Sequence, residues 1–182
     1  MPGIAAGKIK IQANKINIKN NDVGIQGKTI KIEGGELNIE SNDLGINSVN
    51  LSTNTDTLKI SSNKKGVKST NAGLKTTTQT VISNNHNGID SKNLGVKSQG
   101  VIKISGNGLG VKGENVASLK GNTIVIVANQ IGAKAENLYL KGENIVIKEN
   151  TTGMKVNSLD AKVNEFQLVD NVIAIKQQKI KK

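Results

Sequence analysis

The composition of this 182-residue chain excludes several classes of protein. With no cysteine, no tryptophan, one tyrosine and one phenylalanine, it has no disulfide framework, no thiolate metal site and no core of large aromatic side chains. The net charge is +11, and all 25 basic residues are lysine. Because arginine and stacked aromatic rings are the usual readers of nucleic acids, we expect no specific nucleic-acid binding and only weak, salt-sensitive contact with polyanions.

The start of the chain, MPGIAAGKIKIQANK, contains no continuous apolar segment. No window of the sequence approaches the length of a membrane span. We therefore expect neither a signal peptide nor a membrane span, and a protein that is cytoplasmic, carried in a virion or exported by a non-classical route.

A repeat of 21 or 22 residues organises the whole chain, with glycine at the third position of each unit. The units are 1–21, 22–42, 43–63, 64–85, 86–107, 108–129, 130–150 and 151–171, followed by the partial unit 172–182. The glycines are Gly3, Gly24, Gly45, Gly66, Gly88, Gly110, Gly132 and Gly153; Ala174 replaces glycine in the partial unit. This regularity predicts a single domain rather than several.

Apolar residues within each unit come as three pairs with one residue between the members, as in VGIQGKTIKIEGGELNIE over 23–40. Alternation with a period of two places both members of a pair on one face of a strand. One unit cannot bury its own pairs, so successive units must stack. The pattern predicts an all-β parallel β-solenoid of about eight coils with three short strands each, about 40 Å long at a strand spacing of about 4.8 Å.

The three longest units carry one extra residue, which we place between the second and third apolar pairs. These units are 64–85, 86–107 and 108–129, and they are consecutive. Because stacked corners must follow matching paths, we expect the same corner to widen in all three coils.

Asparagine forms two columns along the repeat. The first closes each unit: Asn21, Asn42, Asn63, Asn85, Asn107, Asn129, Asn150 and Asn171. The second precedes the middle pair: Asn50, Asn71, Asn93, Asn115 and Asn137. Fixed columns predict ladders at the corners, in which side-chain amides bond to those above and below and satisfy backbone groups that a corner leaves unpaired.

The glycine column needs a reason, because glycine in a strand costs roughly 0.5 to 1 kcal/mol relative to alanine. The alternation places these glycines at the outward position of the first strand, where they form a bare stripe. One explanation is a bulge or a positive φ at each corner. The other is a packing stripe against another backbone, for example a neighbouring solenoid. We favour the first explanation, in which glycine is needed for the local backbone conformation.

These residues resemble the single-chain three-sided β-solenoid repeat proteins, whose coils of about this size carry inward aliphatic stacks and asparagine ladders. The segments GKIKIQANKINIKNN and KGENIVIKEN also resemble the β-helical shafts of phage tail spikes and type VI secretion spikes, where three chains intertwine. An intertwined trimer needs only a period of about seven residues, so the longer period favours coils closed by one chain. The second resemblance implies a rigid, assembled shaft.

Residues with catalytic or ligand-binding potential are few. Gly108, Gly110 and Gly113 spell GxGxxG, but no helix is predicted after them, so we assign no cofactor. The single histidine, His86, stands at a corner and predicts no metal site. The chain has 14 carboxylates. They lack arginine partners, aromatic sugar platforms and long loops, so we expect no catalytic residue and no enzyme.

One edge of the predicted solenoid is basic. Lysines follow the first strand in successive coils, at Lys68, Lys112, Lys134 and Lys155, with Asp90 between the first two. The aspartate indicates charge balancing on a sheet. The alternative is a polyanion edge for an anionic polymer.

The sequence favours a non-enzymatic structural protein, a rigid rod that assembles as a homo-oligomer, trimer or filament into a fibre or spike, in a phage tail or injection apparatus. A cytoplasmic polymerising scaffold resembling bactofilins is one alternative. A binding module for anionic polymers along the lysine edge is the other.

Overall fold

A computed structural model of the chain describes residues 2–177, so the predicted partial coil 172–182 is described only as far as Gln177. The described residues form eleven strands and no helix. The strands are β1 (Pro2–Lys19), β2 (Val23–Glu40), β3 (Leu44–Ser61), β4 (Lys65–Ser83), β5 (Asn87–Ser98), β6 (Val101–Ser105), β7 (Leu109–Lys120), β8 (Thr123–Val127), β9 (Ile131–Lys148), β10 (Thr152–Val169) and β11 (Ile173–Gln177).

The strands stack in parallel as about eight coils, which confirms the predicted β-solenoid. Ile25, for example, pairs with Ile4 in the preceding coil and with Ile46 in the following one. The main order is β1-β2-β3-β4-β5-β7-β9-β10-β11, and β6 and β8 complete the coils that begin with β5 and β7. A single chain therefore closes each coil, as the 21-residue period predicted.

A continuous aliphatic core runs along the solenoid axis. Both members of the second and third pairs point inward, as in β2, where Ile30, Ile32, Leu37 and Ile39 are at most 1% exposed. Isoleucine and valine suit this arrangement, because branched side chains pack well on a pleated surface. Burial weakens in the last full coil, where Leu168 is 41% exposed.

The first pair of each coil departs from the prediction. Its second member is buried, as Ile25 is, whereas its first member, Val23, is half-buried and the glycine between them is buried. The prediction that both members point inward and the glycine outward is therefore wrong for this pair. The alternation is interrupted at this pair, which lies directly after the corner that closes the preceding coil.

That corner contains a residue in the left-handed region of φ, immediately before each ladder asparagine. The φ values lie between 51° and 65° at Asn20, Ser41, Ser62, Asn84, Gly106, Ala128, Glu149 and Asp170. A left-handed residue turns the chain sharply at small cost for asparagine, aspartate or glycine. Positive φ thus belongs to this position and not to the glycine column.

The extra residue of the longer coils falls at two different corners. In 64–85 and 86–107 it lies between the second and third apolar pairs, since Thr55 is in register with Thr76 but Thr57 with Gln79. In 108–129 it lies between the first and second apolar pairs, where Asn93 is in register with Val116. The prediction of one shared wide corner is therefore correct for two coils and wrong for the third.

Candidate functional surfaces

The closing asparagines form a hydrogen-bonded ladder from Asn21 to Asn171. Each side-chain Nδ2 donates to the Oδ1 of the asparagine one coil later, at 2.8–3.0 Å. The backbone N–H of each also donates to that same Oδ1, at 2.9–3.1 Å. The ladder predicted for the closing column is confirmed, and its inner members are 1–3% exposed. The second predicted column is in register from Asn50 to Asn93 but not at Asn115, because Val116 pairs with Asn93 and with Asn137.

The glycine column lies inside the solenoid and not on its outer face. A Cβ built on Gly110 would overlap the Cγ2 of Ile104 and the carbonyl oxygen of Gly132, and equivalent neighbours crowd each glycine from Gly24 to Gly153. None of these glycines has a positive φ. Both earlier explanations are thus corrected: the close approach is real, but the approaching atoms belong to the same chain. Gly3 is the exception, since it is exposed at the first coil.

The predicted lysine edge is in register but partly neutralised. Lys68, Asp90, Lys112 and Lys134 pair in sequence along one column, which continues to Lys155. The Lys112 Nζ lies 3.0 Å from an Asp90 carboxylate oxygen. Charge balancing therefore accounts for the middle of this column, and polyanion binding at this edge stays a prediction.

A second lysine column was missed by the sequence reasoning. The column lies directly after the second apolar pair of five successive coils and is in mutual register: Lys75, Lys97, Lys120, Lys141 and Lys162. All five are exposed. The signal was present in the sequence as a lysine directly after each middle apolar pair, but the misplaced extra residue of coil 108–129 obscured its alignment.

The same face carries open grooves. One, of about 510 Å³, is lined by Asn71, Gly73, Asn93 and Gly95 among others. A neighbouring groove of about 370 Å³ lies on the other side of these glycines and is bordered by Lys75, Lys97 and Lys120.

Two glycines of the GxGxxG match lie inside the fold. Gly110 belongs to the buried column, and Gly113 is buried at a strand corner. His86 is exposed, as expected of a corner residue. Within residues 2–177, no group of three histidine, cysteine or acidic side chains is arranged to hold a metal ion.

Carboxylates of the second coil pair with lysines of the first. The contacts are Lys10–Glu33 at 3.8 Å, Lys15–Glu36 at 3.0 Å and Lys19–Glu40 at 2.9 Å between nitrogen and oxygen. These pairs connect β1 to β2 along three columns. Stacked charges are thus neutralised at this end of the solenoid.

The pKa of each of these three glutamates is lowered below the ordinary value of 4.5, and for Glu33 the largest cause is a hydrogen bond from Lys31. A hydrogen bond from Asn38 is the largest cause of the lowered pKa of Glu36, and a hydrogen bond from Lys15 is the second largest. A hydrogen bond from Lys19 lowers the pKa of Glu40. A depressed pKa contributes stability above the ordinary pKa that is lost as the pH falls through the folded-state value.

Acidification is therefore expected to loosen the first coil before the middle ones. Between about pH 6 and pH 3, amide exchange protection in β1 should fall a few-fold more than in β7 and β9. The measurement is hydrogen–deuterium exchange with mass spectrometry, corrected for the intrinsic pH dependence of exchange. The double variant Glu36→Gln and Glu40→Gln should remove most of this difference. Equal loss of protection in all coils would contradict the assignment.

The fold and the asparagine ladder place the chain in the class of parallel β-solenoid repeat proteins. Compared with known proteins, it matches no family model, no curated protein and no solved structure. Residues 2–177 include no helix long and apolar enough to cross a membrane.

Proposed function

We propose that the chain is a structural, non-enzymatic rod that assembles with copies of itself or with partners into a fibre or spike. The observation that carries this proposal is the unbroken ladder from Asn21 to Asn171, which fixes the stacking of all eight coils by several buried hydrogen bonds per coil. Such a stack gives a stiff body about 40 Å long. Rigid length is what a shaft contributes to a phage tail or an injection spike.

Assembly is supported by where apolar side chains are exposed. Six of the nine large hydrophobic residues that are exposed in the described chain lie in the first coil or from residue 168 onward: Ile4, Leu168, Val169, Val172, Ile173 and Ile175. The open edge of a solenoid also presents unpaired backbone groups. A second solenoid stacked on either end would cover both.

Light scattering and negative-stain electron microscopy of the purified chain test this proposal. We expect particles one solenoid wide whose length grows with protein concentration. Ile4→Glu should shorten them, because Ile4 is 46% exposed in the first coil and the substitution places a charge at that end. Val49→Glu is the matched control on the side of the rod, at 43% exposure, and should leave length unchanged.

The form of the assembly separates the settings. A defined trimer favours a spike, whereas long filaments of the pure protein favour a scaffold of the bactofilin type. A monomer at every concentration, or equal effects of both substitutions, would refute end-to-end assembly.

A further inference from the structure

We propose that the lysine row, defined as Lys75, Lys97, Lys120, Lys141 and Lys162, binds an acidic polysaccharide lying parallel to the solenoid axis. Five positive charges stand in consecutive coils on one exposed face. At the strand spacing of about 4.8 Å the row is about 19 Å long. This surface differs from the lysine edge at Lys68 and does not depend on whether the rod assembles.

The lysines of the row differ from several other lysines of this molecule in their charge partners. Lysines elsewhere lie beside a carboxylate of the adjacent coil, as in Lys15–Glu36, Lys64–Asp43 and Lys112–Asp90, each at 3.0 Å. No member of the row forms an ion pair with any residue of the described chain. Like charges in adjacent strands are destabilising. Repulsion within the row therefore lowers the stability of the unbound protein, and a bound polyanion would restore that stability.

Three carboxylates lie near the row without an ion pair to it. Glu143 follows Lys141 by two residues, Asp160 precedes Lys162 by two, and Asp56 accepts a hydrogen bond from Thr77, two residues after Lys75. Five lysines therefore outnumber three carboxylates along the row. Its first three members, Lys75, Lys97 and Lys120, lie in the three longer coils.

Beside these three lysines the sheet surface is bare. Gly73 and Gly95 lie at the outward position between the two buried members of the second apolar pair, and Ser118 continues the column. A Cβ on Gly73 would come no closer than 3.9 Å to its nearest neighbour, and one on Gly95 no closer than 4.0 Å. Neither residue has a positive φ. Folding requires glycine at Gly110 but not at these two positions. The close approach of a polymer along the row would explain why glycine stands here.

The next residue in this column is Tyr139, which is 46% exposed and stands between Ser118 and Asp160 in register. An exposed tyrosine offers an apolar ring with a polar tip. Its position at the end of the bare strip suits stacking on a sugar ring.

The chemistry favours a polysaccharide with one anionic group on each sugar over a nucleic acid. Duplex DNA carries one charge per about 1.7 Å of axis, far denser than one lysine per about 4.8 Å. Proteins that bind single strands stack successive bases on several aromatic rings, and this face has one. Lysine also serves as a point charge for carboxylate or sulfate, without the bidentate geometry that arginine gives to phosphate.

Calorimetric titration of the full chain with polygalacturonate oligomers tests the proposal. We expect binding that weakens with added salt, and a loss of about tenfold or more in the triple variant Lys97→Gln, Lys120→Gln and Lys141→Gln. The matched control is Lys68→Gln, Lys134→Gln and Lys155→Gln, which removes the same charge from the other edge and should retain most of the affinity. Equal losses in both variants would overturn the proposal, because they would indicate unspecific attraction to net charge.

A second variant separates binding from folding. Gly95→Thr places a side chain on the bare strip, so affinity should fall several-fold while thermal stability is unchanged or higher. Unchanged affinity in Gly95→Thr, no binding of polygalacturonate at low salt, or tighter binding of single-stranded DNA than of polygalacturonate would each refute an acidic polysaccharide as the ligand of this row.

Discussion

Replacing Gly110 by valine is expected to unfold the solenoid or to lower its free energy of unfolding by about 3 kcal/mol or more. The new side chain would overlap the Cγ2 of Ile104 across the corner and the carbonyl oxygen of Gly132 in the next coil. The first neighbour is fully buried and the second is backbone, so neither can move aside without disturbing two coils. Urea denaturation followed by far-UV circular dichroism measures the loss.

Gly95→Val is the matched control for this prediction. Gly95 also lies in the middle of the stack, but the nearest atom to its Cβ would be the Ala72 carbonyl oxygen at 4.0 Å. Valine favours strands, so stability should be unchanged or up to about 1 kcal/mol higher. A folded Gly110→Val variant that merely failed to assemble would contradict the interior position of Gly110 and would restore the outward packing stripe.

The contact that requires the glycine column leaves a signal of its own in the sequence. Each glycine from Gly24 to Gly153 follows an isoleucine by six residues, and that isoleucine is the one its Cβ would strike. Where the isoleucine is replaced by Leu168, the glycine is replaced by Ala174. Leucine carries no methyl group branching from its Cβ, which leaves space at this point. The paired change is a sequence signal for contact across the corner.

The fold could be predicted because two of its determinants, the apolar pairs and the closing asparagines, recur with a fixed period in the sequence. Stacking places equivalent residues of successive coils next to each other, so a 21-residue period in sequence becomes a contact in space. The asparagine ladder follows from the same reasoning. What could not be predicted is the path at the corners, where alternation no longer tells inward from outward.

The corner path also decided which charges were recognised as neighbours. With the extra residue assigned to the wrong corner, Lys120 is displaced by one position from Lys97 and Lys141, and the lysine row is lost. In the structure, Lys97 pairs with Lys120 and Lys120 with Lys141. The placement of one residue thus decides whether the lysine row is visible in the alignment of the repeats.

Replacing Asn107 by alanine is expected to lower the free energy of unfolding by about 3 kcal/mol. Its Oδ1 accepts hydrogen bonds from the backbone N–H and the Nδ2 of Asn85, both at 3.0 Å. Its Nδ2 lies 2.9–3.0 Å from the carbonyl oxygens of Ile82 and Ser105 and the Oδ1 of Asn129. Alanine removes all these partners from a site that is 2% exposed.

Asn93→Ala is the comparison within the second asparagine column. Asn93 also donates to an asparagine of the preceding coil, Asn71, at 2.8 Å, but both side chains are exposed and water can replace the bond. Its loss should cost less than about 0.5 kcal/mol. Similar costs for the two substitutions would show that buried hydrogen bonds do not hold the coils together.

Asn107→Asp separates the accepting from the donating half of the amide. The carboxylate keeps an acceptor for Asn85 but places negative charge against the carbonyl oxygens of Ile82 and Ser105, so at neutral pH it should destabilise at least as much as alanine. Burial raises the pKa of such a carboxyl in the folded state, and the penalty should therefore shrink as the pH falls through that value. Denaturation of Asn107→Asp and Asn107→Ala at about pH 7 and about pH 4 measures this recovery, which the alanine variant should lack.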